Sequence, residues 1–132
     1  MIQRNPEFAR FNALHMAFLA LTGNDAKALR LLERHIVEAI DGFNPWNEFH
    51  FFRYAQLTAE LLAERKKKTR LRVPKLSEKI SGGGEYLLSD LAEEFQRRTA
   101  DLARRFDERN GNNYYSSQAV ATAKWKKFAT RK

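Results

Sequence analysis

Apolar residues recur at helical spacing through most of this chain. Phe8, Phe11, Leu14, Phe18 and Leu21 repeat every three or four positions, with Asn5 as a cap and Pro6 at the first helical position. Thr22-Gly23 ends that run. A second helix starts at Asn24 or Asp25 and carries Leu29, Leu32, Ile36 and Ile40 as one stripe, with Gly42 as its stop. Asn44 and Pro45 then open a third, WNEFHFFRYAQLTAELLAE. Here the pattern changes. Arg53, Gln56, Glu60 and Glu64 form a narrow polar stripe, while Trp46, Phe49, Phe51, Phe52, Tyr54, Leu57, Leu61 and Leu62 cover most of the remaining circumference. A helix apolar over so wide an arc is surrounded by others. The short connections predict antiparallel neighbours, hence a three-helix unit at 1–66 with the third helix central.

Beyond it the pattern breaks at 67–84, a basic stretch ending in Ser81-Gly82-Gly83-Gly84, which reads as a linker. A fourth helix over about 87–109 places Leu88, Leu91, Phe95, Leu102 and Phe106 on one side, packed against the open arc of helix three. Its other side alternates in sign, with Glu93→Arg97, Glu94→Arg98 and Asp101→Arg105 as acid-first pairs four apart. Asn110-Gly111-Asn112-Asn113 makes a turn, and Ser116 or Ser117 caps a last helix, QAVATAKWKKFATRK. The expected fold is all-α with about five helices: the unit at 1–66, a linker at 67–84 and a helical pair at 85–132.

Charge changes this picture most. The chain of 132 residues carries a formal net charge of +8, and the fifteen residues from Arg65 to Lys79 hold eight Lys or Arg against Glu78 alone. Residues 87–109 net −1, so the arginines of helix four balance within it, whereas residues 124–132 net +5. The basic excess therefore lies in two segments. Arg65, Lys66, Lys67, Lys68, Arg70, Arg72 and Lys75 in the first, with Lys124, Lys126 and Lys127 in the second, form a candidate basic edge for an anionic partner. Arg70-Leu71-Arg72-Val73 alternates, as a short extended segment before Pro74 does. Trp125 and Phe128, three apart, are placed to dock the last helix while its lysines stay solvated; the other reading stacks them on single-stranded bases.

Catalytic signals are missing. Without Cys there are no disulfides, thiolate metal sites or cysteine nucleophiles, which suits a reducing cytoplasm. No Gly-x-Ser-x-Gly occurs, and Gly82-Gly83-Gly84 lacks the Gly-Lys-Ser/Thr ending of a phosphate loop. The paired carboxylates Glu93-Glu94 and Asp107-Glu108 read as solvent-facing partners of arginines. His15, His35 and His50, one per helix, are the residues from which a bundle metal site could be built, yet their spacing matches no recognised ligand pattern. No apolar stretch reaches the roughly eighteen residues of a membrane span.

Residues 14–45 carry a Gly23-Asn24-Asp25 turn, small Ala28 early in the second helix, Leu32 four later and Pro45 opening the next helix. This segment resembles a degenerate tetratricopeptide-type helical hairpin, departing from it at Met16, Ala26 and His35. The resemblance implies a protein-binding helical surface and transfers no catalytic residue. The sequence thus points to a non-enzymatic helical binding or adaptor protein, without cofactor, whose basic edge meets an acidic protein segment. A nucleic-acid-binding accessory protein using 65–79 and 124–132 is the second reading. A helical-bundle metal protein or enzyme is the third.

Overall fold

The computed structural model describes residues 6–41, 44–71 and 84–129. Among these the expected all-α architecture is present: helices α1 (Pro6–Leu21), α2 (Asp25–Asp41), α3 (Pro45–Ala63), α4 (Leu88–Asn110) and α5 (Tyr114–Ala123), the last continued by a 3-10 turn over Lys124–Phe128. Strands β1 (Lys68–Arg70) and β2 (Glu85–Leu87) form a short antiparallel ladder between α3 and α4. The cap expected at Asn5 and the stop expected at Gly42 lie outside the described residues.

Local chemistry sets the boundaries. Gly23 takes a left-handed φ of 83°, so that its amide reaches the Ala20 carbonyl and the Asn24 amide that of Leu19, closing α1 in a Schellman turn. Asn44 caps α3, its Oδ1 accepting from the amides of Trp46 and Asn47 at 3.1 and 3.2 Å, ahead of Pro45.

α3 is the central helix, as its wide apolar arc predicts. Phe49, Phe52, Leu57, Leu61 and Leu62 are all fully buried. One core cluster runs from Met16 and Ala17 of α1 and Leu32 and Ile36 of α2, through α3, to Leu71, Tyr86, Leu88, Leu91 and Phe95. The Leu88–Phe106 stripe of α4 packs on α3, with the Phe52 and Phe95 rings 5.4 Å apart and those of Phe49 and Phe106 at 6.3 Å.

The stretch expected as a plain linker is tied down at both ends. Lys68 pairs with Leu87, Thr69 with Tyr86 and Arg70 with Glu85, and the ladder is extended by Leu71 N–H to Gly84 O and Leu88 N–H to Lys67 O, each 2.9 Å. Thr69 and Leu71 point inward and are buried while Lys68 and Arg70 face out. The period of two thus begins two residues earlier than the Arg70–Val73 alternation implies. Arg72 and Lys75 lie outside the described residues.

The last helix also differs. It begins at Tyr114, not after Ser116 or Ser117, because its first amides are capped from another helix. The Asp107 carboxylate accepts from the amides of Tyr115 and Ser116 at 2.8 and 3.1 Å and from the Ser116 hydroxyl at 2.5 Å. Gly111, at a φ of 71°, turns the chain between the two helices. Tyr115 then stacks on Phe106 at 4.7 Å and meets Phe49 edge-on at 5.2 Å.

Candidate binding edge

The polar stripe of α3 is the seat of the C-terminal segment. Arg53 donates to the Thr122 hydroxyl at 3.2 Å and lies over the Tyr54 ring. Trp125 packs on the core with its ring 5.7 Å from Tyr54, and Lys126 Nζ meets Glu60 Oε1 at 2.9 Å. Gln56, largely buried, donates to Glu60 at 3.0 Å. These contacts advance together along both segments, so α5 runs parallel to α3 and brings Lys124–Phe128 to the C-terminal half of α3. Arg65 and its successors leave from the end of that half.

The structure sorts the proposed basic edge into two groups. Arg65 is committed: it donates to Asp25 at 2.5 Å and to the Ala20 carbonyl at 2.9 Å, fastening the end of α3 to the α1–α2 turn. Lys68 pairs with Glu85 at 3.7 Å across the ladder, and Lys126 is held by Glu60. Lys66, Lys67, Arg70, Lys124 and Lys127 are exposed, and among the described residues no carboxylate pairs with them. Trp125 docks as expected. Phe128 does not: it is 69% exposed, with the Lys127 ammonium 5.2 Å from its ring.

The carboxylates read as surface partners of arginine divide likewise. Glu94 and Asp107 are buried; Glu93 and Glu108 are exposed. Glu94 Oε2 accepts from Arg97 at 2.6 Å and Arg98 at 2.7 Å, so Arg97 turns to Glu94 in place of Glu93. Arg98 also lies 5.3 Å over the Phe52 ring, drawing the pair into the α3–α4 interface. Arg104 bridges Asp101 and Glu108, and Arg105 pairs with Asp101. Glu48, facing this row from α3, has its pKa raised by burial, against the lowering pull of Arg98 and Arg105 and with a small push from Asp101. For Asp107 burial pushes upward, but the Ser116 hydroxyl and the Tyr115 and Ser116 amides outweigh it and hold the carboxyl below the ordinary aspartate range.

The histidines sit in three different environments. His15 is exposed on α1, not on its buried side. His35 is half-buried with Nδ1 3.7 Å from Glu38, and His50 is buried with Trp46 and Phe49 against it edge-on. Among the described residues no three His, Asp or Glu side chains gather closely enough to share a metal ion. Nor is any described helix long and apolar enough to cross a membrane.

One feature escapes the sequence reading: a cleft of about 560 Å³ between α4 and α5, floored by Gln56 of α3. Its walls are Thr99, Ala100 and Ala103 on one side and Ala119, Val120 and Ala123 on the other, with Lys124 and Lys126 at one end. The alanines at helical spacing on both helices are the only signal in the chain for it.

Comparison with known proteins returns no match: no family model, no curated protein and no solved structure is similar to this chain at a significant level.

Proposed function

We propose that this chain is a non-enzymatic helical binding or adaptor protein of the cytoplasm that engages an acidic protein segment through Lys66, Lys67, Arg70, Lys124 and Lys127. The observation that carries this reading is the division of the basic edge. Arg65, Lys68 and Lys126 are used to hold the fold, whereas Lys66, Lys67, Arg70, Lys124 and Lys127 have no carboxylate partner among the described residues and belong to the two segments that flank the C-terminal half of α3. Clustered like charge is held together at an electrostatic cost that an anionic partner relieves. The tetratricopeptide likeness of residues 14–45 favours a protein as that partner. So does the docking of Trp125 against Tyr54, which leaves Phe128 alone of the two aromatic groups open to base stacking.

The test is titration of a fluorescent poly-glutamate peptide and of double- and single-stranded DNA and RNA at two salt concentrations. Binding of the acidic peptide, weakened by salt and lost in Lys66→Ala/Lys67→Ala/Arg70→Ala, is the expected result. The same substitutions at Arg104 and Arg105, paired on α4, leave it intact. Steep salt-dependent binding of nucleic acid, with none of the peptide, replaces this reading by the nucleic-acid one.

A further inference from the structure

We propose that the α4–α5 cleft binds a small amphipathic anion, a carboxylate on an unbranched apolar tail, with its head group at Lys124 and its tail toward the α4–α5 turn. This shares Lys124 with the basic edge but rests on the cleft, which that reading does not use. The volume, about 560 Å³, falls within the roughly 300–1,000 Å³ typical of small-molecule sites. The space exists because the facing positions are small: Ala100 and Ala103 on α4, Ala119, Val120 and Ala123 on α5.

The polar atoms on the walls are largely occupied within the protein. The Thr99 hydroxyl donates to Phe95 O at 2.8 Å, the Gln56 amide to Glu60, and the Ser116 hydroxyl to Asp107. Lys126 is neutralised by Glu60. The wall therefore offers methyl surface along its length and one cation, Lys124, without a carboxylate partner among the described residues. The cation lies at one end of that surface. α4 and α5 are antiparallel about Gly111, so Ala103 and Ser116 are near the turn, while Gln96, Lys124 and Lys126 mark the far end. An apolar tail with an anionic head matches this polarity. A neutral analogue gains only the tail contact, and a cationic one is repelled by Lys124.

The experiment is calorimetric titration of the intact chain with octanoate, decanoate, decanol and decyltrimethylammonium, each below its micelle concentration. Decanoate is expected to bind more tightly than octanoate by up to about fifteenfold, the effect of burying two more methylenes. Decanol should bind more weakly than decanoate, and the ammonium not at all. Lys124→Ala should bring decanoate down to decanol's affinity and leave decanol unchanged. Ala100→Leu/Ala123→Leu, filling the cleft, should lose both while circular dichroism shows the helices intact. Equal binding of decanoate and the ammonium, no binding of decanoate at millimolar concentration, or a decanoate advantage that survives Lys124→Ala would each overturn the proposal. Lys124 is exposed, so that variant decides the matter even if the filled cleft does not fold.

Discussion

Asp107 and Ser116 join the last two helices through a single carboxylate: Asp107 accepts from the Ser116 hydroxyl at 2.5 Å and from the amides of Tyr115 and Ser116. One residue of α4 thereby caps α5, whose own flanking residue Asn113 makes no side-chain capping bond. The cap is present only while Asp107 is ionised. Its pKa is held below the ordinary range, so the folded state binds that proton less tightly than the unfolded state does. Its contribution is complete above the unfolded value, about 3.9, and is lost as pH falls through the lowered folded value. Melting followed by circular dichroism should show a loss of stability below that range which is smaller in Asp107→Asn. Asp107→Asn should already melt lower at neutral pH.

Glu48 carries the opposite sign. Burial raises its pKa despite Arg98 and Arg105, so the folded state holds its proton more tightly and ionisation at neutral pH works against folding. Glu48→Gln should therefore melt slightly higher than the parent at pH 7, by less than about 4 °C given its partial exposure. The difference should shrink as the pH is lowered through the carboxylate range. A markedly lower melting point in Glu48→Gln would show that the arginine attraction outweighs burial.

Phe52 and Phe95 are fully buried and face each other across the α3–α4 interface at 5.4 Å. Truncating either to Ala leaves a void in the most extensive helix contact. Each should cost about 3–5 kcal/mol in urea-induced unfolding, enough to depopulate the native state of many small domains.

Gly111 sits at a φ of 71° with open space where a Cβ would be. The penalty of a side chain there is thus one of backbone conformation alone. Gly111→Ala should cost roughly 1–2 kcal/mol by denaturant titration, and Gly111→Asn less, since Asn tolerates the left-handed region.

The two groups of basic residues should separate in stability as well as in binding. Arg65→Ala removes hydrogen bonds to Asp25 and to the Ala20 carbonyl and should cost about 1 kcal/mol. Lys66→Ala and Lys67→Ala, at exposed positions without carboxylate partners among the described residues, should stay within about 0.5 kcal/mol of the parent. Parallel urea titrations read all three.

What the sequence made legible was set by range. The α1 stripe misled: Phe11 and Phe18 are exposed, and Ala13, Met16, Ala17 and Ala20 form the buried face of that helix instead. The apolar stripes of α2 to α4, the Gly23 stop and the Asn44 cap are written within a few residues of where they act. The start of α5 is not. Ser116 and Ser117 have the composition of caps, but the capping carboxylate belongs to Asp107, seven residues before Tyr114. Charge had the same blind spot. Counting finds the basic run, yet it does not show that Asp25, Glu85 and Glu60 have already claimed Arg65, Lys68 and Lys126. Glu94 read as a surface acid because it lies among arginines; Arg98 lying over Phe52 carries it inward instead. The cleft escaped for the converse reason, since an alanine pair marks a space only once its opposing helix is known.

The ladder between β1 and β2 has a consequence for the chain's connectivity. Its hydrogen bonds bring Leu71 and Gly84 together before the chain resumes its helical course, so the ladder itself fixes where α3 and α4 are joined. Closing such an excursion costs only about 0.6 kcal/mol more for each doubling of its length. The entropy of joining α3 to α4 is thus set mainly by the ladder's own hydrogen bonds, and only weakly by the length of chain between Leu71 and Gly84.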